Sequence, residues 1–154
     1  MLAEIGVVSV MGCSAAGGSG FALVTMPGDS VSVRAGLERA LKSSPLRGLG
    51  PDDRGRAEVL LAEVLNNIVE HAYEGCEGEI RLLLRMEAGR LCLVIEDEGL
   101  AMPGGQLPSG QLPEAECLPE GGFGWFLIRA LASEITYFRR GRTNRLDIVM
   151  ACEQ

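Results

Sequence analysis

The sequence has 154 residues, 47% hydrophobic and 23% charged, a composition with which one globular domain can build its core without disulfides. Its 21 acidic residues outnumber the 14 basic ones, and the net charge of −7 favours a protein or small-molecule partner over nucleic acid or a membrane surface. Five scattered cysteines without a C-x-x-C pair argue against a disulfide framework or a zinc site and suit a reducing compartment. We therefore expect a cytoplasmic protein that binds neither nucleic acid nor membrane.

The first half of the chain predicts a strand and two helices behind a flexible N-terminal segment, residues 1–20, within a single domain over residues 21–154. In chain order the expected elements are a strand at 21–26, a helix from Ser30 or Ser32 to Leu41, a loop at 42–50 and a long helix from Pro51 to Gly75. Asp52 and Asp53 are suitably placed at the positive end of the long helix.

The second half of the chain predicts two antiparallel hairpins separated by a long loop and a helix. In chain order the expected elements are strands at 79–86 and 90–96, a loop at 99–122, a helix at 123–132, and strands at 134–140 and 145–151 joined by residues 141–144. A glycine- and proline-rich loop of this length in a small domain indicates a lid or a binding role.

The long helix carries Glu63, Asn67 and His71 at positions i, i+4 and i+8, a spacing that stacks three polar side chains on one helix face. A carboxylate, a carboxamide and an imidazole aligned in this way can supply a general base, a metal ligand and a phosphate contact. The simpler alternative for His71 is a surface histidine bonded to a neighbouring side chain.

Asp97 follows an apolar strand, and Gly99 allows the backbone to turn away directly after it. A carboxylate in this position can accept a hydrogen bond from an exocyclic amine such as that of adenine, while glycine lets a base approach the backbone. The alternative is an ordinary turn at the end of a strand, because Asp-x-Gly is common.

Gly121, Gly122 and Gly124 lead directly into an apolar helix, where free backbone N–H groups and the positive helix end suit a polyphosphate. The alternative is a hinge before an ordinary amphipathic helix, because the cluster lacks the Lys-Ser/Thr ending of a Walker loop and the preceding strand of a dinucleotide fingerprint.

The order and spacing of these motifs resemble the N, G1 and G2 boxes of the GHKL (Bergerat-fold) ATP-binding superfamily, and within it the anti-sigma factor serine kinases of the RsbW type. The similarity covers residues 21–151, and segments 118–129 and 144–146 are especially similar to that subgroup. It implies an α+β fold, a two-layer α/β sandwich with helices on one face of a mixed, mostly antiparallel sheet. ATP would lie between the long helix, the lid and the glycine-led helix.

The resemblance also implies a role for each motif residue. Glu63 would be the general base toward a substrate serine, Asn67 would coordinate Mg²⁺, Asp97 would bind the adenine amine beside Gly99, and Gly121, Gly122 and Gly124 would admit the phosphates. The resemblance would also place Thr143 or Asn144 near the adenine-binding strand, whereas a phosphate contact for His71 is an expectation from the residue type and its place on the helix. Positioning and charge neutralisation of this kind are what phosphoryl transfer requires.

The sequence departs from the pattern of these relatives in the lid. Ala101 stands where many of them have a second glycine, and no Lys or Arg occurs between Gly99 and Gly122. The triphosphate charge would therefore be met by Mg²⁺, by backbone N–H groups, and by His71 or Arg129.

We expect an ATP-dependent protein serine kinase and anti-sigma regulatory factor that phosphorylates a STAS-domain anti-anti-sigma antagonist and sequesters a sigma factor or another target. A nucleotide-gated protein-binding module without kinase activity is the alternative. The detached ATP-binding domain of a sensor histidine kinase ranks last, because no phosphoacceptor helix pair precedes Phe21. Relatives also suggest a homodimer, for which the apolar stripe of the first helix offers a surface, although core packing explains the stripe equally well.

Overall fold

The computed structural model describes residues 20–112 and 123–153, in which helices cover one face of a five-stranded sheet. The strands are β1 (Phe21–Pro27), β2 (Glu79–Glu87), β3 (Arg90–Asp97), β4 (Glu134–Arg140) and β5 (Thr143–Ala151). The α-helices are α1 (Ser30–Lys42), α2 (Ser44–Arg47), α3 (Pro51–Asn67) and α4 (Gly124–Leu131). A π-helical segment (Ile68–Tyr73) continues α3, and a 3₁₀ turn (Pro103–Gly105) follows β3.

The strand order is β1-β2-β3-β5-β4, so that β1 and β4 are the edges of the sheet. All four pairings between the described strands are antiparallel. The predicted α+β sandwich is confirmed, and its sheet is antiparallel in every described pairing rather than mixed. Ala88 and Gly89 both have positive φ, 49° and 73°, which matches the tight turn between β2 and β3.

One face of the sheet is apolar because side chains alternate along each strand. In β3 the buried residues are Leu91, Leu93, Ile95 and Asp97, and the residues between them are more exposed. Across the sheet, Ile95 pairs with Leu82 on one side and with Leu146 on the other. The last row on this face replaces an apolar pair with Asp97 opposite Asn144, and both of these residues are buried.

Helix α3 packs on the apolar face through residues spaced three and four apart, namely Ala57, Leu60, Leu61, Val64 and Leu65. Its first turn is tied to the end of β5. The buried Asp53 carboxylate accepts hydrogen bonds from Arg56 Nη1 and from the backbone N–H of Glu153, each at 2.8 Å. These contacts hold the start of α3 next to the end of β5 and so set the position of the helix along the sheet.

Helix α1 begins differently from the prediction that Ser30 or Ser32 caps it. Asp29 is the N-cap residue, and its Oδ1 accepts a hydrogen bond from Ser32 N at 2.8 Å. The apolar stripe proposed for a dimer packs largely inward, since Val33 is buried and Leu37 lies against the core. The homodimer stays a prediction, without support from this helix.

Three further boundaries differ from the prediction. The expected loop at 42–50 contains α2, in which the buried Leu46 packs into the core. The long helix is α-helical only as far as Asn67 and continues as a π-helix. The final turn is shorter than expected, because Thr143 and Asn144 already belong to β5.

Residues 1–19, for which flexibility was predicted, and residues 113–122 of the predicted lid lie outside the described residues. Within the described ranges, no helix combines the length and the apolar character needed to span a membrane.

Candidate functional site

A cavity of about 400 Å³ opens between the π-helical segment, the end of β3, the loop that follows it and the start of α4. Much of its wall is apolar, with Ile68, Ala72, Met102, Trp125 and Leu146 among the lining residues. The polar residues Asn67, His71, Asp97 and Asn144 also line it. The cavity thus brings together four of the residues singled out in the sequence and has the mixed character of a small-ligand site.

Asp97 lies at the inner end of this cavity and has 6% of its surface exposed. Its Oδ1 accepts hydrogen bonds from Gly99 N and from Asn144 Nδ2, both at 2.8 Å. Because the described hydrogen bonds to this carboxylate go to Oδ1, Oδ2 is the atom that can accept a bond from a ligand. Burial raises the pKa of Asp97, against the opposing effects of the two hydrogen bonds and of the Arg139 charge.

Asn144 is the main polar neighbour of Asp97. Its Nδ2 donates to Asp97 Oδ1 at 2.8 Å and to Leu100 O at 2.9 Å, while its Oδ1 accepts from Tyr137 and Arg139. The sequence offered Thr143 or Asn144 for this place. Thr143 is not among the residues that line the cavity, and alternation along β5 places it on the opposite face of the sheet from Asn144.

Sequence reasoning did not assign Tyr137 to the site, and it interpreted Arg139 as part of a solvated basic hairpin end. The signal that could have found them is the strand register, because Tyr137 and the buried Leu146 are partners across β4 and β5. That partnership puts residues 137 and 139 on the same face of the sheet as Asn144. The register depends on the length of the turn between the two strands, which the sequence analysis placed differently.

Gly99 permits a close approach between the end of β3 and the π-helical segment. A Cβ atom at this position would lie 2.5 Å from Ala72 O, a backbone atom that also accepts a hydrogen bond from Leu100 N at 2.7 Å. Larger residues would therefore force the two elements apart. The predicted need for glycine here has a packing reason: the atom that comes close belongs to the protein's own backbone.

Glu63, Asn67 and Gly124 meet at the start of α4. A Cβ atom on Gly124 would lie 2.8 Å from Glu63 Oε2 and 3.6 Å from both amide atoms of Asn67. Among the described residues, Asn67 Nδ2 is the only buried side-chain polar atom without a hydrogen-bond partner. The oxygen and nitrogen of an amide are assigned from their surroundings, so this amide can present either atom to a ligand.

His71 lies apart from that group. Its side chain is 73% exposed, and its Nε2 is 3.9 Å from Glu70 Oε2. The i, i+4 stacking rule applies to the α-helical Glu63 and Asn67, whereas His71 belongs to the π-helical segment with its wider turn. His71 lines the cavity from its exposed side.

The described part of the predicted lid rests on α4. Arg129 Nε donates to Pro108 O at 2.8 Å, and a Cβ atom on Gly110 would lie 2.9 Å from Trp125 O. Arg129, a candidate phosphate contact in the sequence, therefore holds the lid segment in this structure. Gly121 and Gly122, the other two glycines of the predicted phosphate loop, lie outside the described residues.

Comparison with known proteins gives one family match. The family model described as "Histidine kinase-like ATPase domain" matches residues 23–150. Similar curated proteins include the serine-protein kinase RsbW of Bacillus thuringiensis (strain Al Hakam), 31% identical over 93 residues, and that of Bacillus anthracis, 32% identical over 93 residues. Each similarity covers 57% of this chain and 58% of the relative, so the chain spans a little over half the length of these relatives.

Similar solved structures include two histidine kinases. The blue-light activated histidine kinase of Erythrobacter litoralis EL346 gives a TM-score of 0.49 at 24% identity, covering 68% of this chain and 32% of that one. Acinetobacter baumannii histidine kinase AdeS gives a TM-score of 0.44 at 18% identity, covering 87% of this chain and 68% of that one.

Proposed function

The chain belongs to the histidine kinase-like ATPase family, and from this premise we propose that it is an ATP-dependent protein serine kinase and anti-sigma regulatory factor. Its substrate would be a STAS-domain anti-anti-sigma protein, and the unmodified antagonist would compete with a sigma factor or another target for the same kinase. The observation that carries the proposal is the arrangement in one region of Asp97, with one oxygen free for a ligand, and of Glu63 and Asn67 beside Gly124.

The base of ATP fits the Asp97 end of the cavity. Oδ2 of the carboxylate can accept a hydrogen bond from the adenine amine, and the apolar wall that includes Ile68 and Met102 can cover the faces of the ring. Because the pKa of Asp97 is raised by burial, its charge is poorly solvated, which favours a ligand that donates to it. The site thus selects purines that carry an exocyclic amine.

The phosphates fit the end of the cavity formed by α3 and α4. The unpartnered amide of Asn67 is suited to Mg²⁺, because a carboxamide oxygen is a hard ligand of the kind that this ion prefers. The ion would be held by this amide together with nucleotide phosphates and water, as is usual for Mg²⁺ at nucleotide sites. Bound there, Mg²⁺ would neutralise phosphate charge during transfer.

Glu63 would act on the substrate serine. Its carboxylate lies where the backbone of α4 begins, close to the expected γ-phosphate, and can accept the proton of the serine hydroxyl. The serine Oγ forms a bond to the γ-phosphorus while the bond from that phosphorus to the bridging oxygen of ADP breaks. The proton ends on Glu63, and the products are phosphoserine and ADP.

The second candidate function is a nucleotide-gated protein-binding module. One observation favours it: Arg129, the basic side chain of α4, donates to Pro108 O in the lid segment and is not directed freely into the phosphate end. Such a module would use nucleotide occupancy only to set the position of the lid and would transfer no phosphate.

A paired assay separates the two functions. Calorimetric titration with ATP and ADP, each with and without Mg²⁺, tests the nucleotide site, and transfer of ³²P from γ-labelled ATP to purified STAS-domain proteins tests the kinase. We expect Glu63→Gln to bind ATP as the unmodified protein does and to lose transfer. The matched control is Glu58→Gln, at an exposed position five residues earlier on α3. Binding without transfer in the unmodified protein would support the binding module, and absence of saturable binding would contradict both functions.

A further inference from the structure

Edge strand β4 sends two side chains to a single atom of the candidate nucleotide site. Tyr137 and Arg139 lie two residues apart on β4, on the same face of the strand. The Tyr137 hydroxyl and Arg139 Nη1 each donate to Asn144 Oδ1 at 2.8 Å. Both acceptor positions of this amide oxygen are therefore in use.

These two bonds decide which way the Asn144 amide faces. With two donors on its oxygen, the NH₂ group must point the other way, toward Asp97 Oδ1 and Leu100 O. A reversed amide would place its oxygen against the Asp97 carboxylate, where two acceptors would repel each other. Tyr137 and Arg139 thereby keep the donor side of Asn144 on Asp97 and leave Asp97 Oδ2 directed into the cavity.

The same side chains also hold the start of the lid segment, residues 99–102. Arg139 Nη1 donates to Gly99 O at 2.8 Å, and the Tyr137 hydroxyl accepts from Met102 N at 3.0 Å. Together with the bond from Asn144 Nδ2 to Leu100 O, they fix the backbone of this segment from the side of the sheet. The base position and the start of the lid therefore share one hydrogen-bond network.

We propose that Tyr137 and Arg139 are positioning residues for base recognition, which act by orienting Asn144 and through it Asp97. They determine which purine binds, because the Asp97 carboxylate that they hold with Oδ2 free selects a base with an exocyclic amine. The assignment rests on the proposed function, because it concerns the same nucleotide site. Neither residue touches the reacting phosphates.

The test compares ADP with inosine diphosphate, in which a carbonyl group replaces the exocyclic amine. Calorimetry measures both affinities in the unmodified protein, in Tyr137→Phe and in Arg139→Met. The matched control is Arg140→Met, which removes the same charge from the adjacent position of β4, whose side chain is on the other face. We expect the preference for ADP to fall about 3- to 10-fold in each of the first two variants, as loss of one orienting hydrogen bond implies, and to stay unchanged in the control.

A double-mutant cycle tests whether the two residues act through Asn144. In an Asn144→Ala background the orienting bonds have no acceptor, so adding Tyr137→Phe should leave the ADP preference where Asn144→Ala has set it. A purely structural role would instead lower the affinities for ADP and inosine diphosphate by the same factor. That equal loss would overturn the assignment, and so would an unchanged preference in both single variants.

A measurement without nucleotide separates this assignment from the proposed function. In the free protein, Tyr137→Phe removes the acceptor of the Met102 amide, so hydrogen exchange at Met102 should accelerate about 3- to 10-fold, while Arg140→Met should not change it. Unaltered exchange at Met102 would overturn the network. Absence of nucleotide binding in the unmodified protein would overturn the proposed function and with it the role in base recognition, even where exchange responds as expected.

Discussion

Replacing Asp97 with asparagine separates base recognition from folding, because the two oxygens of this carboxylate have different tasks. Oδ1 accepts from Gly99 N and Asn144 Nδ2, and an asparagine oxygen can accept both bonds in the same place. Its new NH₂ group would then stand where Oδ2 faces the cavity. Since the change also removes a buried charge, we expect the free energy of unfolding to stay within about 1 kcal/mol of that of the unmodified protein.

Nucleotide binding should respond much more strongly than folding. A hydrogen bond from the adenine amine to a carboxylate contributes about 1.5–3 kcal/mol, and the amide nitrogen that replaces Oδ2 would leave two donors facing each other, at a penalty of about 1–3 kcal/mol. Because about 1.4 kcal/mol corresponds to a factor of ten, Asp97→Asn should lower the affinity for ADP by about 10²- to 10⁴-fold. The affinity for inosine diphosphate should fall far less, because the carbonyl group of its base can accept a hydrogen bond from the new amide.

The assay is calorimetric titration of both diphosphates with the unmodified protein and the variant, together with urea unfolding of each. Asp147→Asn is a suitable control, because Asp147 lies on the opposite face of the sheet, where its Oδ1 accepts a bond from Arg145 Nε. An ADP affinity within threefold of the unmodified value in stable Asp97→Asn protein would refute the argument that Oδ2 reads the base.

Three further predictions follow from the same site. Burial raises the pKa of Asp97 above its ordinary value of 3.8. The stability that the unmodified protein gains relative to Asp97→Asn should therefore be fully present below pH 3.8 and be lost as pH rises through the folded-state pKa. Urea unfolding of both proteins across this pH range measures the difference. Gly99→Ala should lower the free energy of unfolding by about 1–3 kcal/mol, because the new Cβ atom would collide with the backbone of Ala72. Gly55→Ala should raise it by about 0.5–1 kcal/mol, because this position of α3 has open space and alanine favours a helix. Urea unfolding measures both changes. Asn67→Ala should remove the Mg²⁺ dependence of ADP affinity in calorimetry, and Asn66→Ala, at the exposed neighbouring position, should retain it; equal behaviour of the two would contradict the role of Asn67.

The sequence predicted the regular elements well because their signals are local. The alternation of apolar and polar residues in β2 and β3 and the three-and-four spacing in α3 follow from burial of one face, which each segment carries in its own composition. Local signals also located Asp97 at a strand end and Glu63 with Asn67 on one helix. These residues lie within single elements, so short-range spacing was enough to single them out.

The π-helical segment could not be predicted in this way, because distant contacts hold it. The buried Tyr73 ring occupies the place where Cβ atoms on Gly28 and Gly78 would stand, and its hydroxyl donates to Glu79 O at 2.5 Å and accepts from Glu98 N at 3.0 Å. These partners belong to three other parts of the chain. The sequence analysis used no local signal that separates a π-helix from an α-helix, and the long-range contacts of Tyr73 hold the last residue of the π-helical segment.

The polar network around Asn144 was out of reach for a related reason. A buried Asp opposite a buried Asn would be unfavourable without partners, and those partners come from β4 and from the backbone after β3. The network lies at the end of an otherwise apolar face of the sheet. The residues that border the core there are therefore the same ones that position Asp97 for a ligand. Base selectivity should therefore be sensitive to changes at Tyr137 and Arg139 of β4, which act through Asn144, whereas substitutions on the opposite face of the same strand should have no effect on it.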